Sequence, residues 1–260
     1  ALQKAVRSLE AGYDGLWDAS VAALDDGELR RAVSMPDDRR LFALAEALRR
    51  GFSVEELNSL TGVAPYFLAV LKSIVGAEQE IAEQPELLES RLWQLKRRGF
   101  SDRRLAKLTG KTEAQVRELR HRLGVAPVYK SVDTCAGEFE AQTAYYYSAY
   151  EKEDEVPETG RRKVLVIGAG PIRIGQGIEF DYCSVHSVWA LQRMGYEAVI
   201  VNNNPETVST DFDTSDRLYF EPLTLEDVLE VVRRERPEGV IVQFGGQTAI
   251  NLARPLADAQ

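Results

Sequence analysis

Apolar positions in the first 125 residues recur at helical spacing, and none of that stretch alternates with period two. Leu41, Leu44, Ala45 and Leu48 form one stripe; Leu88, Leu92 and Leu95 form another. Each runs into basic residues and a glycine, Arg49-Arg50-Gly51 and Lys96-Arg97-Arg98-Gly99, which is how helices commonly close. Both stripes lead into one phrase. Gly51-Phe52-Ser53, Leu57 and Leu60-Thr61-Gly62 recur as Gly99-Phe100-Ser101, Leu105 and Leu108-Thr109-Gly110, at a constant offset of 48 residues. Each copy predicts a helix, a glycine stop, a serine cap, a short helix, a Thr-Gly turn and a further helix. Glu56, at the third position after Ser53, is expected to complete a capping box. The last helix of the second copy is predicted over about Thr112–Leu123. Two copies are too few for a solenoid, so the pattern predicts one helical domain with an internal duplication.

Periodicity is lost over 124–162, which carries Pro127, Pro157, Tyr145-Tyr146-Tyr147 with Tyr150, and the acidic run Glu151–Glu158. This reads as a long connection. From Lys163 the pattern changes again. Val164–Ile167 is a short continuous apolar run, as in a strand buried on both faces, and it enters a glycine loop from Gly168 to Gly177. A helix near Asp181–Met194, a strand at Ala198–Val201 and an extended piece at Leu218–Phe220 follow. Thr224 with Asp227 opens a helix to about Arg234. Gly239–Phe244 is a further strand, and Gly245-Gly246-Gln247-Thr248 starts a last helix. Alternating strands and helices imply parallel strands with crossover connections. The fold class is therefore α + α/β, an all-helical domain followed by a Rossmann-like parallel sheet.

Charge sharpens the division. Of the net −9, residues 1–130 contribute +2 and residues 131–260 contribute −11, while segment 96–125 alone holds ten Lys/Arg against three Asp/Glu. With 44% hydrophobic residues the chain can bury a core. No apolar run approaches the roughly 20 residues of a membrane span, so no membrane association is expected. Cys135 and Cys183 stand far apart, against a disulfide framework or a structural zinc. The chain opens at Ala1, in what reads as mid-helix, without an initiator Met or signal peptide; it is expected to be a piece of something longer.

The glycine loop does not meet the dinucleotide fingerprint. Its third glycine position is Arg173, and the acidic residue wanted after the second strand is replaced by Asn202-Asn203-Asn204. No phosphate loop of the GxxxxGK[ST] kind is present. Polar residues nevertheless gather at the strand ends: Arg173, Gln176 and Glu179 after the first, Asn202, Asn203, Asn204 and Glu206 after the second, Gln243 and Gln247 around the last. In an open α/β sheet these ends form the ligand crevice. Asp211, Asp213 and Asp216 are expected to cap their own turns. His186 is expected to pack and His121 to be solvated, so a histidine-based catalytic triad has little support.

Several long motifs then point one way. Gly170 to Cys183 (GPIRIGQGIEFDYC) resembles the signature loop of the carbamoyl phosphate synthetase large subunit. Asn202–Pro222, Gln243–Gln247 and Val132–Glu140 resemble other segments of that subunit, and the Gly-Phe-Ser-Val-Glu-Glu-Leu repeat resembles its oligomerisation domain. The resemblance implies four parts: the tail of a preceding ATP-grasp unit (1–20), a helical oligomerisation domain (21–126), a linker (127–162) and a pre-ATP-grasp domain (163–260). It implies an ATP-dependent carbon–nitrogen ligase that makes carbamoyl phosphate from bicarbonate, ammonia and two ATP in the cytoplasm, for arginine and pyrimidine biosynthesis. ATP, magnesium or manganese, and potassium as a further ion would be held by residues outside this chain, which would itself carry no catalytic residue and no metal. The implied partners are a glutaminase small subunit and further copies of the chain, with no nucleic acid and no membrane. Carried over by position, Gly177, Glu179 and Glu206 line the tunnel that delivers carbamate to the second active site, with Arg173 beside them and Gln176, Asn202, Asn204, Gln243 and Gln247 as further crevice candidates.

Two other readings compete. Arg103, Arg104, Lys107, Lys111, Arg117, Arg120 and Arg122 on a short helix-turn-helix could supply phosphate contacts, as in a DNA-binding regulator with a Rossmann-like sensor domain. A nucleotide-binding oxidoreductase module is the other, disfavoured by Arg173 and the asparagine triplet.

Overall fold

A computed structural model describes residues 1–139, 141 and 143–259. Glu140, at the end of the Val132–Glu140 motif, and Gln260 lie outside the described residues. The chain divides into two compact units, one formed by Ala1–Arg7 and Ala11–Val125, the other by Ser8–Glu10 and Ala126–Gln260. Among the described residues no helix is long and apolar enough to cross a membrane.

The first unit is helical: α1 (Leu2–Ser8), α2 (Ala19–Ala22), α3 (Asp26–Ser34), α4 (Arg40–Arg49), α5 (Val54–Thr61), α6 (Pro65–Glu83), α7 (Leu88–Arg97), α8 (Asp102–Thr109) and α9 (Glu113–Arg122). The duplication is geometric as well as textual. α7, α8 and α9 begin 48 residues after α4, α5 and α6 respectively. Gly51 and Gly99 take φ of +91° and +88°, and Gly62 and Gly110 take +69° and +67°, the left-handed turn that glycine enters without steric cost. Ser53 Oγ accepts the Glu56 amide and Ser101 Oγ the Arg104 amide, both at 3.0 Å. The expected capping box at Glu56 is replaced by an ion pair with Arg30 at 2.5 Å; the box forms instead at Thr112 with Gln115. Within the 1–20 segment, Val6 and Leu16 are buried in the same core as Leu57, Leu92, Leu105 and Val116.

That core also draws in part of the basic cluster. Arg104 is buried against Glu78 and lies 3.9 Å from Asp14. Arg120 and Lys96, almost wholly buried, both pair with buried Asp102, at 3.0 and 2.9 Å. Lys107 pairs with Asp14 at 2.5 Å. Arg104 and Arg120 are thus committed to buried carboxylates and are not free for phosphates, while Arg103, Lys111 and Arg122 stay exposed; the helix-turn-helix reading gains no support from the buried pair.

The second unit holds one six-stranded sheet, in the order β1-β2-β5-β4-β3-β6. The strands are β1 (Val128–Ser131), β2 (Tyr145–Ala149), β3 (Lys163–Ile167), β4 (Glu197–Asn202), β5 (Arg217–Phe220) and β6 (Gly239–Ile241), with α10 (Glu179–Arg193), α11 (Leu225–Glu235) and α12 (Gly246–Asp258) between and after them. All neighbours are parallel except β1, which runs antiparallel to β2 at the edge. β3 and β4 are buried at every position, hence their unbroken apolar runs. Leu165, Ile167, Val199 and Val201 meet α11 and α12 through Val228, Leu229, Ala249 and Leu252 on one face. Val166, Ala198 and Ile200 meet Val188 of α10 on the other.

Two expectations change. The supposed linker supplies β1 and β2: Tyr129 and Tyr146 are buried against Tyr219, with ring centroids 4.8 and 5.6 Å away. Acidic residues of the same segment close the outer edge of β1. Asp154 Oδ2 accepts the Tyr129 amide at 3.1 Å, Glu155 Oε2 accepts the Ser131 amide at 2.8 Å, and the Glu155 amide donates to Tyr129 O at 2.8 Å. β6 is also shorter than predicted. A 3₁₀ turn at Gln243–Gly245 follows it, because the chain bends onto the end of β3; a Cβ on Gly245 would stand 2.5 Å from Ile167 O.

At the amino ends of the strands, Glu235 accepts from Lys163 at 2.5 Å and from Arg217 at 2.7 Å, and it also bonds the Tyr219 hydroxyl. Burial pushes the Glu235 carboxyl up, but these three donors outweigh it and hold the group below the usual carboxylate range.

Candidate functional site

The chain winds from β3 to β4 and β5 in one direction, then returns through α11 to place β6 on the far side of β3. The carboxyl ends of β3 and β6 are therefore the switch point, where an open sheet leaves a crevice. The glycine loop leaves β3 there and α12 begins there.

Asn202, the last residue of β4, organises the loops around this point. It is fully buried, and its Oδ1 accepts the amides of Gly170 at 3.1 Å, Asn203 at 2.9 Å and Asn204 at 3.3 Å. Its Nδ2 donates to Ser209 Oγ at 3.2 Å. Gly168 has to be glycine, since a Cβ would lie 2.5 Å from Asn202 Cγ. Asn204 Oδ1 in turn accepts the Glu206 amide at 3.0 Å. One buried amide thus ties the glycine loop to the turn that carries Glu206. Asp181, 5% exposed on α10, accepts the Ser209 amide at 3.0 Å and braces the same turn.

The remaining candidates lie on the exposed rim. Glu179 is the first residue of α10 and its carboxylate lies against Gly177, so a Cβ there would displace the Glu179 side chain. The Gln176 amide donates to Arg173 O at 2.9 Å and closes the loop as a turn. Gln243 sits in the 3₁₀ turn and Gln247 donates along α12 to Asn251 at 2.6 Å. Arg173, 45% exposed, donates to Glu10 Oε2 at 2.6 Å and to Thr248 Oγ1 at 3.2 Å.

The Gly168 amide goes to Val201 O at 2.8 Å and the Gly170 amide to Asn202, so the first two glycine amides of the loop are committed within the protein rather than open to a phosphate. Among the described residues no group of three or more His, Cys, Asp or Glu could hold a metal ion. The structure gives Asn202 a different task from the one expected: it is a clamp, closed to solvent. Asp216 does not cap its own turn; its Oδ2 accepts the Ala198 amide at 2.9 Å across the sheet, and it pairs with Arg161 at 2.8 Å. His186 lies on the exposed face of α10, flanked by Tyr182 in a tilted contact and Trp189 edge-on. Sequence reasoning missed Glu10, Thr248 and Ser209. No local pattern marks them; only the folded chain brings them to the loop.

Comparison with known proteins adds the rest. Residues 1–124 match the family model described as the carbamoyl-phosphate synthetase large chain oligomerisation domain, and residues 160–260 match that of the carbamoyl phosphate synthase preATP-grasp domain. The carbamoyl phosphate synthase large chain of Methanothermobacter thermautotrophicus is 55% identical over 259 residues, covering 100% of this chain and 24% of that one. The chain therefore spans about a quarter of the length of that relative. With a helical unit matching one domain model and a sheet unit matching the other, the chain belongs to the carbamoyl phosphate synthase large-chain family.

Proposed function

We propose that this chain acts within a carbamoyl phosphate synthase large chain, its helical unit as an oligomerisation scaffold and its sheet unit as part of the path to the carbamate-phosphorylating site. In this reading the whole enzyme is an ATP-dependent ligase in the cytoplasm, using bicarbonate and ammonia from a glutaminase small subunit and serving arginine and pyrimidine biosynthesis. Its ATP and magnesium or manganese ligands, with potassium as a further ion, lie on other segments. Gly177, Glu179 and Glu206 line the passage, with Arg173 beside it. Gln176, Asn204, Gln243 and Gln247 stand on its rim, and Asn202 holds the two loops together.

The observation that carries the reading is the Asn202 clamp, because it fixes the glycine loop bearing Gly177 to the turn bearing Glu206. A passage needs rigid walls more than it needs affinity. Carboxylates along it repel an anion, so carbamate travels either as its neutral acid or escorted by the Arg173 guanidinium. The test is Glu179→Ala in the complete large chain with its small subunit. ATP consumed per carbamoyl phosphate should rise at least about twofold as carbamate is lost in transit. An unchanged ratio refutes the assignment.

A further inference from the structure

The groups facing Glu10 describe a site for a carboxylate. Ser8–Glu10 belongs to the sheet unit, and Glu10 takes φ of +52°, uncommon outside glycine. Its side chain is only 9% exposed. Oε2 accepts from Arg173 Nη2 at 2.6 Å and from Thr248 Oγ1 at 2.7 Å, while Oε1 lies 3.4 Å from Asn203 Nδ2. The Asn203 amide also donates to Ser8 O at 2.9 Å, which holds the segment in place. Thr248 is in the first turn of the 13-residue α12, so the positive end of that helix adds to the Arg173 charge. A guanidinium, a hydroxyl and a helix amino end converge on one carboxyl group at the switch point of the sheet, where a ligand is expected to bind.

We propose that Arg173 and Thr248, with Asn203, form a carboxylate station whose resting occupant is Glu10, and that carbamate displaces Glu10 during transfer. Carbamate presents the same planar O–C–O edge as a carboxylate, so it can take over the donations from Arg173 and Thr248 without rearranging them. The exchange replaces one anion by another, leaves the charge of the site unchanged and breaks no covalent bond. Arg173, being 45% exposed, can be reached by a small anion from solvent. The inference rests on the passage reading for the ligand's identity, and on the geometry alone for the site.

The probe is ¹³C-formate, titrated into the 260-residue chain and followed by its line width. Glu10→Gln keeps the shape of the side chain without its charge; Glu10→Gly removes it and tolerates the positive φ. Both should bind formate at least about tenfold more tightly than the unchanged chain, and adding Arg173→Met should abolish the gain. No gain in either variant with circular dichroism unchanged, or a gain that survives Arg173→Met, overturns the station. A formate gain with an unchanged ATP ratio for Glu10→Gly and Glu179→Ala in the complete enzyme overturns carbamate as the ligand. No gain together with a raised ratio for Glu179→Ala overturns the station and leaves the passage standing.

Discussion

Asn202→Ala is the most informative single change in the sheet unit. Truncation removes the acceptor of three amides and the donor to Ser209. A buried donor left without a partner costs about 1–3 kcal/mol. Gly170 is buried and bears the full cost, whereas Asn203 and Asn204 are half-buried and recover part of theirs from water. The total is about 3 kcal/mol. At about 2–4 °C per kcal/mol for a unit of this size, Tm should fall by about 10 °C. Thermal unfolding reads the total, and hydrogen exchange at Gly170, Asn203 and Asn204 reads its location. Asn202→Asp keeps the acceptor, so it should lose about 1 kcal/mol and retain protection at those amides. A cycle with Gly168→Ala isolates the contact. The added methyl would stand 2.5 Å from Asn202 Cγ in the wild-type background and 2.9 Å from the Cβ that Asn202→Ala retains, so the collision is partly relieved, which gives a coupling of about 1 kcal/mol. The reasoning fails if Asn202→Ala unfolds within about 1 °C of wild type with the three amides still protected, or if Gly168→Ala costs the same in both backgrounds.

The duplicated caps form an internal control. Ser53→Ala should cost about 1 kcal/mol, and Ser101→Ala about 2 kcal/mol because buried Ser101 also donates to Asp14 O; equal losses in urea unfolding would refute the difference. Acid stability should carry the mark of Glu235. Its folded carboxyl is held low, so its contribution is fully present above the ordinary carboxylate range and disappears as pH falls through the lowered value. The difference in urea midpoint between wild type and Glu235→Gln should therefore shrink toward pH 2, and a pH-independent difference refutes the assignment.

Features that are local in the chain were legible in it. The 48-residue repeat could be read because each copy spells its own stops and caps. Gly51, Gly62 and Ser53 act on the turns in which they sit, and the same holds for Gly99, Gly110 and Ser101. β3 and β4 were legible because full burial on both faces demands unbroken apolar runs. β1 and β2 were not. β1 is an edge strand and β2 lies next to it, their tyrosines show no clean alternation, and their partner Tyr219 lies about 70–90 residues away. The position of the candidate crevice followed from strand order, but its internal economy did not. Asn202 reads as a ligand-facing amide until its three amide donors are seen. Glu10 reads as one more acidic residue after a helix, because its partner Arg173 is separated from it by 163 residues.

The acidic segment beside β1 has a consequence for the company the protein can keep. An edge strand with free amides invites another strand to join it. Here the amides of Tyr129 and Ser131 are held by the carboxylates of Asp154 and Glu155, and Lys130 is paired with Glu155 at 2.8 Å. An incoming strand would have to evict two anions and would gain hydrogen bonds no stronger than those it broke. The negative charge of this half of the molecule is thus partly a refusal to polymerise, one that strong acid would withdraw by protonating Asp154 and Glu155.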